Sequence, residues 1–149
     1  MQIKTYHRLP QDAKDIRTQV FIEEQGFLCD FDEIDAKALH VVIYLDGVAA
    51  AAGRAFPEER DPTVWHLGRI AVRKIYRGQG LGLAVVRALE SAAEKEGGRT
   101  LELSAQTQAQ RFYEKAGYTA QGGVYKEEHC PHIKMVKRLN GTQPVSAPT

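Results

Sequence analysis

The sequence predicts an α/β chain built on a mixed sheet, and three observations carry that prediction. Asp46-Gly47 lies between two apolar runs, HVVIYL and VAAAAGRAF, and is suited to a two-residue type I′ turn, so the runs pair as an antiparallel hairpin. VWHLGRIAV and TLELSA read as buried strands, and between them LGLAVVRALESAAEKEGG carries an apolar stripe at Leu81, Val85, Leu89 and Ala92. The whole order, β-α-(α)-β-β-β-α-β-α-β-β, mixes a hairpin with a helix-linked strand pair, so it is not a strictly alternating doubly wound chain.

From the N-terminus, IKTYHRL alternates as a short strand until Pro10 stops it. QDAKDIRTQVFIEEQG follows with Ala13, Ile16, Val20 and Phe21 at helical spacing, and Gly26 ends that helix. LCDFDEIDAKA is acidic and aperiodic, a loop or a broken short helix. Pro57 and EERDP close the hairpin. VWHLGRIAV, Val64 to Val72, is apolar enough for a central strand buried on both faces. Gly97-Gly98 stop the long helix. AQRFYEKAGY forms a short helix ended by Gly117, with Ala109, Phe112, Tyr113 and Ala116 on one face. YTAQGGVYKEE and HIKMVKRL supply two more strands around the turn HCPH. The last ten residues carry no charge and little apolar content, so residues 1–139 form one domain and 140–149 a disordered tail.

Length and composition narrow the function. A chain of 149 residues, 43% hydrophobic and 26% charged, suits a single soluble domain. No apolar run reaches bilayer length, and the N-terminus has no apolar segment of the signal-peptide kind, so a cytoplasmic location is expected. Cys29 and Cys130 then read as free thiols. With 20 basic and 19 acidic residues the net charge is +1, which argues against a nucleic-acid or membrane partner and directs attention to a local site.

That site is YRGQGLG, Tyr76 to Gly82, between a strand and a helix. A helix N-terminus offers unpaired N–H groups and a positive dipole end, and glycine lets that backbone approach a phosphate closely. A P-loop is excluded because no Gly-Lys pair occurs in the chain. A dinucleotide fingerprint is disfavoured: Leu83 stands where its third glycine belongs, counting from Gly78, and Val85 does so counting from Gly80, although Glu102 could imitate the ribose-binding acid. The pattern that fits is R/Q-x-x-G-x-G/A, met by Arg77, Gly80 and Gly82.

With that motif the chain resembles the GNAT superfamily of N-acetyltransferases and, within it, the small bacterial ElaA-like and YjcF-like proteins. The resemblance runs over residues 1–139 through RTQVFIEEQG, DEID with His40, AAGR, LGRIAV, YRGQGLG, LSAQ, FYEKAGY and PHIKM. It implies a mostly antiparallel sheet of about seven strands with helices on both faces and a splay between two central parallel strands. It implies acetyl-CoA as cosubstrate, a small amine as acceptor, direct transfer in a ternary complex, and a homodimer as a common assembly. The backbone of Gly78, Gln79, Gly80, Leu81, Gly82 and Leu83, flanked by Arg77, would hold the pyrophosphate. Ile70, Ala71 and Val72 would pair with the pantetheine arm, together with Gln106, Phe112 and Tyr113.

For the chemistry, the resemblance implies that the Ile70 N–H stabilises the oxyanion and that Tyr113 protonates the departing thiolate. His132 matches a histidine that takes the amine proton in relatives resembling glyphosate N-acetyltransferase; Glu24, Glu127 or Glu128 acting through water is the open alternative. Arg17, Phe21, Glu24, Arg69, Gln106 and His132 would surround the acceptor. Arg69, inside an apolar strand, needs an internal carboxylate, with Glu102 or Glu24 as candidates, or an acidic substrate. The acidic loop from Asp30 to Asp35 is either a solvated face or the lining of a cationic-amine pocket; Ile34 spoils it as a calcium loop. His129 and Cys130 have no partner pair at zinc spacing, so no metal is expected. Two rivals remain: a non-catalytic CoA-binding protein, which Tyr113 argues against, and a nucleotide-binding oxidoreductase.

Overall fold

The computed structural model describes residues 1–127 and 130–139. Seven strands, β1 (Gln2–Tyr6), β2 (Leu39–Leu45), β3 (Val48–Pro57), β4 (Val64–Val72), β5 (Thr100–Gln106), β6 (Thr119–Glu127) and β7 (Cys130–Arg138), form a sheet in the order β1-β2-β3-β4-β5-β7-β6. The helices are α1 (Gln11–Arg17), α2 (Leu81–Lys95) and α3 (Gln110–Lys115). This is the mixed, mostly antiparallel architecture expected, with β4 and β5 parallel. The chain divides into two compact units, residues 1–56 with 67–92 and residues 57–66 with 93 onward.

In the first unit the hairpin expected at Asp46-Gly47 is present. Both residues have positive φ (49° and 79°), as a type I′ turn requires, and Leu45 pairs with Val48. The pairing shifts between Ile43 and Tyr44: Ile43 faces Ala51 and Tyr44 faces Ala49, leaving Ala50 as a bulge whose carbonyl accepts from the Arg73 N–H (2.9 Å). The small residues of β3 let helices approach both faces. On one face Ala13, Ile16, Val20 and Phe21 pack with Val42, Tyr44, Ala52 and Ala71. On the other, a Cβ added to Gly53 would meet Val85 Cγ1 at 2.6 Å and Leu89 Cδ1 at 2.9 Å, so α2 rests directly on that backbone.

The helix after Pro10 differs from the sequence expectation. It is α-helical only to Arg17 and π-helical from Thr18 to Glu24, with Gln25 N–H donating to Val20 O (3.1 Å). Val20 and Phe21, consecutive within this wider turn, are both buried. The acidic stretch resolves into a 3₁₀ turn, Glu33–Ala36, capped by Asp32.

In the second unit β7 pairs antiparallel with β5 on one side and β6 on the other. The residue before β4 meets the start of β5: Thr63 O accepts from the Arg99 and Thr100 N–H groups (2.7 and 3.0 Å). Leu101, Leu103, Ala105, Ile133 and Met135 are buried, while Ser104 and Lys134 are exposed and Glu102 is partly so. The expectation that β4 is buried on both faces is corrected. Trp65, Leu67 and Ala71 are buried, but the residues between them are only partly so, because His66, Gly68 and Arg69 occupy the intervening positions. The turn expected at HCPH is corrected: Cys130, Pro131 and His132 already belong to β7, paired with Glu127, Lys126 and Tyr125, while His129 and the expected tail at 140–149 lie outside the described residues.

Candidate active site

The glycine loop is built by backbone conformation. Gly78 and Gly80 have φ of 82° and 81°, and a Cβ on either would meet nothing within 4 Å, so glycine serves the left-handed turns and the space above them is open. Gly80 O accepts the first helical bond, from the Ala84 N–H (3.1 Å). The N–H groups of Leu81, Gly82 and Leu83 therefore belong to the first turn of a fifteen-residue helix, where no intrahelical acceptor exists. Such donors, with the dipole behind them, fit a phosphate.

Arg77 opens the loop. Its Nε donates to the Val72 carbonyl (3.0 Å), and Nη1 and Nη2 donate to Glu24 Oε2 and Oε1 (2.6 and 2.8 Å). The hydrogen bond from Arg77 is the main cause that holds the Glu24 carboxyl below its ordinary range, with Lys74 adding to it. Upstream, Arg69 has φ 50° inside β4, a left-handed kink immediately before Ile70.

The same unit contains a cluster of arginines and aspartates that the sequence reading did not assemble. Arg17, 1% exposed, donates through Nε to Asp30 (2.6 Å) and through Nη1 and Nη2 to Asp35 (2.8 and 3.2 Å). Arg54 reaches Asp32 (2.7 Å) and Asp35 (2.8 Å). Arg69 reaches Asp30 (2.8 Å) and Asp32 (3.3 Å). His40 Nε2–H donates to the Asp35 carbonyl (2.9 Å), and burial pushes its pKa down. Burial works against the Asp35 carboxylate, but hydrogen bonds from Arg17, Arg54 and the Asp32 N–H outweigh it and hold its pKa down at about 2. Burial pushes Asp30 up against the pull of Arg17 and Arg69.

Three expectations are corrected here. Arg69 pairs with Asp30 and Asp32 instead of Glu24 or Glu102: Glu24 holds Arg77, and Glu102 lies 3.9 Å from His66 and 3.6 Å from Lys134. The acidic loop is divided: Asp30 and Asp35 are buried and paired, which rules out an open cation pocket, whereas Asp32 and Glu33 between them are exposed, so only that part is a solvated face. Arg17, expected beside the acceptor, is spent inside this network, and Phe21 sits in the core. The signal was present as three aspartates and three arginines in one half of the chain; their pairing depends on folding.

In the second unit Gln106 pairs in register with His132, which is 5% exposed. His132 Nδ1 faces the Cys130 carbonyl at 2.9 Å; a carbonyl only accepts, so Nδ1 carries the proton and Nε2 is the basic nitrogen. Tyr125, a residue the sequence reading missed, stacks on His132 (centroids 6.3 Å, planes 27° apart), and its hydroxyl hydrogen-bonds Ser104, which also reaches Glu127 (3.2 Å). Cross-strand pairing of Tyr125 with His132 creates that contact. Tyr113 stands on α3 with Phe112 edge-on (4.9 Å) and Tyr118 edge-on (6.0 Å), and burial pushes its hydroxyl up to about 12. Glu128 and His129 lie outside the described residues.

Comparison with known proteins adds three findings. The acetyltransferase (GNAT) domain family matches residues 16–139. The uncharacterized N-acetyltransferase YjcF of Bacillus subtilis is 34% identical over 130 residues, covering 85% of this chain and 91% of the relative; protein ElaA of Escherichia coli is 27% identical over 130 residues, covering 83% and 84%. Among solved structures, an acyl-CoA N-acyltransferase from Pseudomonas aeruginosa superposes with a TM-score of 0.80 at 27% identity, over 92% of this chain and 99% of that one.

Proposed function

The chain belongs to the acetyltransferase (GNAT) family, and from that premise we propose that it transfers the acetyl group of acetyl-CoA directly to a primary amine of a small molecule within a ternary complex. The observation that carries this reading is the loop at the start of α2, where two left-handed glycines bend the chain beneath open space and the first-turn N–H groups lack intrahelical acceptors. Backbone N–H groups of residues 79–83 bind the pyrophosphate, and Ile70, Ala71 and Val72 orient the pantetheine arm. The bound cosubstrate supplies an activated thioester.

The remaining work belongs to side chains and backbone of this chain. The Ile70 N–H polarises the thioester carbonyl and holds the oxyanion as the amine adds. His132 accepts the amine proton at Nε2, the nitrogen left basic by the Nδ1–H bond to the Cys130 carbonyl. Tyr113 donates a proton to the thiolate. With its pKa pushed up to about 12 the phenol is fully protonated at neutral pH. It is a weak acid, but the burial that raises it also raises a thiol beside it, which restores the driving force. Gln106, opposite His132 on the neighbouring strand, contacts the acceptor.

Steady-state kinetics with acetyl-CoA and a panel of amino sugars, amino acids and polyamines, followed by thiol release, test this reading. Direct transfer gives amine-dependent release with intersecting double-reciprocal lines. Parallel lines would indicate a covalent acetyl-enzyme. CoA binding without release across the panel would leave a CoA-binding protein that is not a catalyst.

A further inference from the structure

We infer that Glu24 is an internal competitor for the pyrophosphate: it occupies Arg77 until the cofactor takes that guanidinium, so cofactor binding releases the end of the first helix. This rests on the reading of residues 77–83 as the pyrophosphate cradle. The sequence suggested separate partners for the two residues, a phosphate for Arg77 and an amine for Glu24, yet they hold each other in two parallel bonds of 2.6 and 2.8 Å. The guanidinium is aimed by its third contact, Nε to the Val72 carbonyl at the end of β4, so it need not travel far to change partner.

The chemistry favours exchange. A guanidinium fork accepts a carboxylate or a phosphate edge in the same bidentate geometry. The pair is 40% and 33% exposed, and ion pairs so wetted contribute little net stability, so parting them is cheap. A pyrophosphate carries more charge than one carboxylate and is additionally gripped by the first-turn N–H groups, so it wins Arg77. Glu24 is then left facing Lys74 alone among the cations that act on it. Its position has a mechanical consequence. Glu24 is the last residue of the π-helical turn, two residues before the left-handed Gly26, and Arg77 ties that end to β4. Once untied, residues 24–26 loosen while Val20 and Phe21 stay packed in the core, and the freed Glu24 carboxylate is available to a cationic amine.

Calorimetric titration with CoA, joined to amide hydrogen exchange, tests the exchange. Glu24→Gln removes the competitor and is expected to tighten CoA binding about 2- to 5-fold, the span of an exposed ion pair. In an Arg77→Gln background the same substitution should leave CoA affinity unchanged. Amides in 24–26 should exchange faster in the wild type once CoA is bound, and fast in Glu24→Gln without it. The inference is overturned if Glu24→Gln binds CoA no more tightly, if it tightens binding equally without Arg77, or if CoA protects 24–26 in the wild type. A wild-type chain that does not bind CoA overturns the acetyltransferase reading as well, whereas CoA binding indifferent to Glu24 sinks the exchange alone.

Discussion

At the scale of single residues, the proposed chemistry separates cleanly from the structural charges. Tyr113→Phe removes one hydroxyl from a half-buried ring whose neighbours are Phe112 and Tyr118, so folding and CoA affinity should persist while kcat falls by about 10² or more. Thiol-release kinetics beside calorimetric CoA binding check this, and unchanged turnover would remove the general acid. His132→Ala should lower kcat and change the shape of the pH–rate profile, because the amine then has no imidazole to lose its proton to. An unaltered profile would transfer the base to a glutamate acting through water. Arg17 belongs to the other kind of residue. Arg17→Met leaves Asp30 and Asp35 buried without their shared partner, and breaking a buried pair from one side costs about 3–5 kcal/mol. Urea unfolding measures it; a loss below about 1 kcal/mol would mean that water reaches the cluster.

At the scale of elements, the long helix and the strand under it are set by one small residue. Gly53 has Val85 and Leu89 where a side chain would begin. Gly53→Ala should therefore destabilise by about 1–3 kcal/mol through overpacking, visible as a lower midpoint in thermal or urea unfolding. The type I′ hairpin, the end of α2 at Gly97 and the glycine loop could all be read from local sequence, since each depends on a backbone conformation that only a few residue types reach cheaply. The π turn from Thr18 to Glu24 could not. Its apolar spacing is that of an α-helix, and nothing in the local sequence marks the wider turn.

At the scale of the molecule, the arginine–aspartate cluster makes stability depend on acid. Asp35, with its pKa held down at about 2 against 3.8 for the ordinary carboxyl, contributes stability that is complete above about pH 5 and lost as pH falls from there through 2, about 2 kcal/mol in all. Asp32, also held down, adds to that loss. Asp30, pushed up by burial, acts in the opposite sense and reduces the net fall. Urea unfolding at pH 5 and pH 2.5 should show lower stability in acid, and Asp35→Asn should flatten the difference; an equal slope in the variant would place the acid sensitivity elsewhere. The sequence by itself determined most of the succession of elements, the hairpin and the glycine loop, because turns, helix caps and apolar periodicity are properties of neighbours along the chain, and the order of its motifs carried the resemblance to the family. Only the tertiary structure decided the insertion of β7 between β5 and β6, the stacking of Tyr125 on His132, and which aspartate each arginine holds. Those choices join residues far apart in sequence, and many carboxylates could satisfy one guanidinium until packing leaves a single set within reach.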